Sequence, residues 1–235
     1  MIRVENGFYS SDGFTLNCDF DIAAGSFCAV LGPSGAGKST LLSVLAGFES
    51  LNRGRVVLDG VDVTGLPPDQ RPISMVFQDN NVFPHLTVAQ NVALGISPSL
   101  RLSAQQNRTV SEALEHVQLS ALAGRRPGEI SGGERQRVAL ARVLVRAKKI
   151  LLLDEAFASL DPGLRQNLVK QVGEIAQERK LTTLMVTHQP DEVRAVADQV
   201  MFIADGEVQP PIATAKFFAS KGTSIATYLG TPNFK

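Results

Sequence analysis

Residues Gly32 to Thr40 read GPSGAGKST, a full match to the pattern G-x-x-x-x-G-K-[ST]. Glycines at these spacings let successive backbone N–H groups turn inward as an anion nest. A helix opening at the end of the run would aim its positive N-terminus at the same anion. Gly32, Pro33, Ser34, Gly35, Ala36 and Gly37 would form the cradle. Lys38 would reach the β- and γ-phosphates of a nucleotide, and Ser39 would offer its hydroxyl to Mg²⁺ with Thr40 alongside. The plain alternative is a glycine turn before an ordinary helix; the apolar strand pattern of Ser26 to Leu31 just ahead of it argues for the phosphate loop.

A second run, Lys149 to Glu155, reads KILLLDE. A buried strand here would carry Asp154 to its C-terminal end, where ligands bind in open α/β sheets. Asp154 would hold Mg²⁺ directly or through water, and Glu155 would polarise an attacking water as general base. A third run, Ile130 to Arg137, reads ISGGERQR. Ser131 and Glu134 have capping-box spacing and predict a helix start. That reading leaves Gly132 and Gly133 unexplained, since glycines inside a helix cost roughly 1 kcal/mol each. They also bare N–H groups to an anion. One γ-phosphate cannot easily meet two such loops of one molecule, so a second protomer is the natural supplier of this one.

These residues need elements to position them. Strand Ser26–Leu31, the glycine loop and a helix over Ser39–Phe48 open a P-loop fold. Lys149–Leu153 and Thr182–Val186 are short apolar runs typical of buried parallel strands. Helical patterns at Leu164–Arg179 and Pro190–Ala197 flank the second, so alternation predicts an α/β sheet. Val56–Asp59 and Val61–Val63 around Gly60 read as a hairpin, as do Met201–Ala204 and Glu207–Gln209 around Asp205-Gly206. Residues 79–147 break the alternation: Ala104–Val117 and Gly132–Val145 are helical in pattern, with little β signal between them. The expected architecture is a P-loop NTPase (RecA-like) α/β core over residues 1–78 and 148–210. It carries an N-terminal antiparallel β region, an inserted helical subdomain over 79–147, and a short tail over 211–235.

Composition narrows the partners. The chain has 235 residues, 44% of them hydrophobic, enough for one large domain with an insertion. Its 23 basic and 23 acidic residues cancel, which disfavours nucleic acid as a partner. No apolar run spans a bilayer, and Met1–Glu5 lacks the apolar stretch of a signal peptide, so a cytosolic chain is expected. Cys18 and Cys28 suit buried strand positions better than a disulfide framework or a metal site.

The ordered set of motifs resembles that of the ABC ATPases over nearly the whole chain. ISGGERQR resembles their LSGGQ signature, Val76-Phe77-Gln78 their Q-loop, Ala158-Ser159-Leu160-Asp161 their D-loop, and Val186-Thr187-His188 their switch-histidine strand. Tyr9 lies where the family places an aromatic that stacks on adenine, with Phe8 and Phe14 as rivals. The resemblance implies ATP and Mg²⁺ as cofactors. It implies catalytic roles for Glu155, His188 and Gln78, and metal contacts from Ser39, Gln78 and Asp154. Ser131, Gly132, Gly133 and Glu134 would complete the nucleotide site of a second protomer. It further implies a homodimer beneath integral membrane permease subunits, a periplasmic or extracellular solute-binding protein, and a peripheral place on the cytoplasmic face of the bacterial inner membrane. Three positions depart from the pattern: Ile130 for Leu, Glu134 for Gln, and Ala156 where Pro is common. The stretch Gln78–Gly95 resembles thiamine-import ATPases more than generic members, and the short C-terminal tail agrees. A GTPase should carry N-K-x-D, which is absent, and a kinase would have no use for ISGGERQR. Non-transport ABC proteins acting on DNA or ribosomes generally carry two cassettes or a long coiled coil.

Overall fold

The computed structural model describes residues 1–77, 82–158, 160–220 and 224–230. Two sheet regimes meet in one sheet. β1 (Ile2–Ser11) and β2 (Phe14–Ile22) form an antiparallel pair around Asp12-Gly13. β3 (Phe27–Leu31) is buried along its whole length, as a parallel strand covered on both faces must be. After α1 (Lys38–Ala46), β4 (Arg53–Leu58) pairs with β1, and β5 (Val61–Asp62) returns on β4. The expected hairpin around Gly60 is therefore present.

β6 (Ile73–Val76) had no clear signature in the sequence. Three helices follow it: α2 (Val88–Ala93), α3 (Ala104–His116) and α4 (Gly132–Leu144). The chain then alternates through β7 (Ile150–Asp154), α5 (Pro162–Glu178), β8 (Thr182–Val186), α6 (Pro190–Val196) and β9 (Gln199–Ala204). β10 (Glu207–Val208) turns back on β9 through Asp205-Gly206, as the sequence suggests. Strand order is β5-β4-β1-β2-β10-β9-β3-β8-β7-β6. From β9 to β6 every pairing is parallel, and β10 joins that part to the antiparallel β region.

The core lies in three clusters. One fills the space between α1 and the sheet, with Leu41, Leu42 and Leu45 against Val30, Leu152 and Val186. The second joins the helical insertion to the core: Val92, Leu114 and Leu140 share it with Leu151, Leu153 and Val172. The third takes in part of the short C-terminal tail. β11 (Ile212–Ala213) pairs with β9, and α7 (Thr214–Phe218) and α8 (Ser224–Tyr228) bury Phe217 and Ile225 against Ala29, Leu31 and Phe202. The segment shields the outer face of β3 and β9 behind the glycine loop. Cys18 and Cys28 are both buried free thiols on strands, and burial pushes each up to about 12.

Candidate nucleotide site

The loop between β3 and α1 sits at the C-terminal edge of the parallel strands. Gly32 is fixed there by proximity: a Cβ would stand 2.0 Å from the Ile203 carbonyl of β9. Gly37 precedes α1 at φ 104°, in the left-handed region, and a Cβ there would strike the Phe14 ring. Gly37 supplies no side-chain cap, so the first N–H groups of α1 have no such acceptor. A bound anion would satisfy them.

Lys38 is only 5% exposed. Its Nζ donates to the carbonyls of Gly32 (2.9 Å) and Pro33 (2.8 Å), so the ammonium is folded across the loop. Burial pushes its pKa down, while the charges of Glu155 and Asp154 pull it back. Ser39 Oγ donates to Asp154 Oδ1 at 3.0 Å, which brings the loop hydroxyl and the β7 carboxylate together. Desolvation pushes the Asp154 carboxyl up; the Ser39 bond opposes it and the Glu155 charge adds to it.

Glu155 follows at φ 45°, a left-handed conformation uncommon for a non-glycine residue. Its Oε1 lies 2.5 Å from His188 Nε2. His188 therefore stands over the end of β7 from the end of β8. An open pocket of about 370 Å³ is lined by Phe14, Lys38, Ser39, Glu155 and His188, together with loop residues from Ser34 to Thr40.

The donor set fits a nucleotide and a divalent cation. Ser39 and Asp154 present two hard oxygens beside a glycine cradle, and Lys38 supplies the positive charge. No group of three or more His, Cys, Asp or Glu gathers among the described residues. The Ser39 and Asp154 oxygens fit Mg²⁺, which takes one or two protein oxygens and completes its shell from phosphates and water.

Tyr9 does not line this pocket. It is 8% exposed, packs in the core beneath α1, and its hydroxyl donates to Glu49 Oε2 at 3.1 Å. On β1 it pairs with Leu16, pointing inward, while Phe14 at the start of β2 lines the pocket. Of the three aromatics weighed, Phe14 is the one that lines the pocket. Gln78 and Ser159 lie outside the described residues.

The structure does not bring Ser131, Gly132, Gly133 or Glu134 into this pocket. They open α4 through a closed capping box: Glu134 N–H donates to Ser131 Oγ (3.3 Å), and Ser131 N–H donates to Glu134 Oε2 (2.7 Å). The bond from Ser131 holds the Glu134 carboxyl below its usual range. Ser131 and Gly132 are exposed, and Gly133 packs where a Cβ would meet the Leu164 side chain.

Sequence reading missed three neighbours of the site. Arg165 on α5 donates to the carbonyls of Ala158 (3.0 Å) and Leu160 (2.7 Å). Glu192 on α6 accepts a hydrogen bond from the Thr187 hydroxyl. Tyr228 on α8 packs edge-on against Phe202 at 5.5 Å and sets its phenol toward the Gly32 N–H. None of the three belongs to a local motif that could have marked it.

The family model described as "ABC transporter" matches residues 16–158. The thiamine import ATP-binding protein ThiQ of Ruegeria sp. (strain TM1040) is 47% identical over 230 residues, covering 98% of this chain and all of that protein. Among solved structures, the ADP conformation of the cassette MJ1267 superimposes with a TM-score of 0.87 at 24% identity, covering 99% of each chain. The dimeric post-hydrolysis cassette MJ0796, bound to ADP and Pi, gives 0.78 at 27% identity, covering 91% of this chain and 99% of that one.

Proposed function

Because the chain belongs to the ABC transporter family, we propose that it is the ATP-hydrolysing subunit of a thiamine importer. It works as a homodimer beneath integral permease subunits on the cytoplasmic face of the inner membrane. A periplasmic or extracellular solute-binding protein delivers the vitamin. The observation that carries the hydrolytic reading is the Glu155–His188 contact beside the glycine loop, with Ser39 on Asp154. Thiamine rests on the near full-length similarity to thiamine import ATP-binding proteins.

The chain's own groups divide the work. The uncapped start of α1 and Lys38 hold the β- and γ-phosphates. Phe14 faces the adenine. Mg²⁺, held by Ser39, Asp154 and Gln78, would neutralise charge on the phosphate oxygens. Glu155 accepts a proton from water as the water oxygen bonds to the γ-phosphorus. The bond from that phosphorus to the bridging oxygen breaks, and ADP leaves with the electron pair. His188 orients Glu155 and contacts the γ-phosphate side of the pocket. Ser131 to Glu134 of one protomer close over the phosphate loop of the other, so ATP joins the halves and hydrolysis releases them.

Two exposed aromatics offer the membrane partner a seat. Phe48 (56% exposed) and Phe83 (44% exposed) are two of the exposed large hydrophobic residues among those described. Phe48 meets Phe77 edge-on at 5.7 Å, and Phe83 follows shortly in the chain. Among the described residues no helix is long and apolar enough to cross a membrane, so transport needs that partner.

The test is thiamine uptake by cells lacking this chain, restored by the wild type and not by Glu155→Gln. Uptake of a different small solute in place of thiamine would favour the second reading, an importer ATPase of the same design with another cargo.

A further inference from the structure

Behind the Glu155–His188 contact lies a largely buried ion pair that the hydrolytic scheme does not use. Glu192 is 7% exposed, and its Oε1 lies 3.8 Å from Arg165 Nε. Its other oxygen accepts from the hydroxyl of buried Thr187, the residue before His188. Thr187 Oγ1 in turn accepts from the Gln189 N–H at 3.1 Å, so the carboxylate holds one neighbour of His188 directly and the other through the Thr187 hydroxyl.

Arg165 faces the other way as well. Its Nη2 donates to the carbonyls of Ala158 and Leu160, in the loop that leaves Glu155. That loop begins with a turn closed by the Ala158 N–H on the Glu155 carbonyl at 3.1 Å. Arg165 Nε has no hydrogen-bond partner among the described residues. A cavity of about 190 Å³ lies against these groups, lined by Glu155, Arg165, Thr187, His188 and Glu192 among others.

A buried ion pair is a poor stabiliser, because desolvation offsets most of its attraction; its better use is to fix one arrangement. Here the two ends of the pair grip the two segments that carry the reacting side chains. We propose that Arg165 and Glu192 are positioning residues, a buried link that sets the loop after Glu155 in register with the strand end that presents His188. This rests on the hydrolytic reading of Glu155 and His188 given above.

The pair touches neither the phosphate pocket nor the residues that line it for binding, so it should act on turnover and spare affinity. The measurement is steady-state ATPase activity of the full chain, together with ATP affinity from a fluorescent ATP analogue, well below Tm. Glu192→Gln keeps size and the Thr187 bond but loses the charge. It should lower kcat on the order of 10- to 10²-fold, the scale of a misplaced catalytic group, with KM and analogue affinity near wild type. Arg165→Ala should do the same, and the double variant should be no slower than the worse single, since both remove one link. Normal kcat in Glu192→Gln with a lowered Tm would overturn the proposal and leave a purely structural pair. Effects that multiply in the double variant would overturn it too. Should Glu192→Gln fail to fold, Arg165→Lys, which keeps the charge and loses the two-carbonyl grip, decides by the same split. Wild-type and Glu155→Gln controls run alongside. A wild type without ATPase activity would overturn the parent reading and this one with it, whereas an active wild type with unaffected link variants overturns this one alone.

Discussion

Two helices of this chain begin at glycine-rich turns, and they begin differently. α1 starts at Gly37 with no side-chain cap, inside a pocket, with Lys38 folded across the loop. α4 starts at Ser131 with its capping box closed, on an exposed surface outside that pocket. The first is built to take an anion from its own side. The second holds itself together without one and leaves Gly132 exposed. On the function proposed above, a phosphate-facing sequence can be half of a site: α1 would supply the part that binds, and α4 the part that comes from another copy.

The largest effect should come from leaving both helix ends intact and removing the chemistry between them. Glu155→Gln should cut turnover by roughly 10²–10⁴-fold while ATP still binds. With ATP and without hydrolysis, size-exclusion chromatography should show a stable dimer. Near-normal turnover from a monomer would break the account of both ends.

Damage confined to α1 should be next. Lys38→Ala removes charge-assisted contacts to the phosphates, worth about 1.5–3 kcal/mol, or roughly 10- to 10²-fold in affinity. Equilibrium binding of ATP reads it directly, and unchanged affinity would remove the phosphate loop from the site.

The base contact sharpens the same region. Phe14→Ala should weaken ATP by about 1–3 kcal/mol if its ring carries the base. Tyr9→Phe should leave affinity unchanged and cost about 1 kcal/mol of stability through the lost Glu49 bond. The reverse pattern, seen by binding and denaturant melts, would restore Tyr9 to the base.

The smallest effect belongs to α4. Glu134→Gln keeps the capping geometry and removes a negative charge from the face offered to the partner's triphosphate. ATP-driven dimerisation should tighten slightly, by about twofold to fivefold on the scale of a helix-end charge. A weaker dimer, measured by sedimentation, would mean that the carboxylate makes a favourable contact across the interface.

Much of this was legible in the chain because it is local. Gly32–Thr40, Asp154-Glu155 and the Ser131/Glu134 box each sit within one turn or one strand end, and short-range spacing encodes them. α4 and α5 fall within two residues of their apolar patterns. What escaped is set by tertiary contacts. Tyr9, Phe8 and Phe14 cluster about one hairpin, and only the pairing register decides which of them turns toward the loop. Arg165 and Glu192 stand on different helices, so no spacing links them. Residues after Pro210 carry apolar positions only in short runs, yet Phe217 and Ile225 find the outer face of β3 and β9 and become core.

The central claim is that each active site is shared between two chains. Its most direct test is the ATPase activity of covalently linked dimers carrying Lys38→Ala and Ser131→Arg. With one substitution in each half, both defects fall in one shared site and the other site is whole, so activity should persist. With both substitutions in the same half, each shared site has one defect, and activity should vanish. Activity retained when both lie in one half, and lost when they are split between the halves, would mean that each chain completes its own site, and the account would fail.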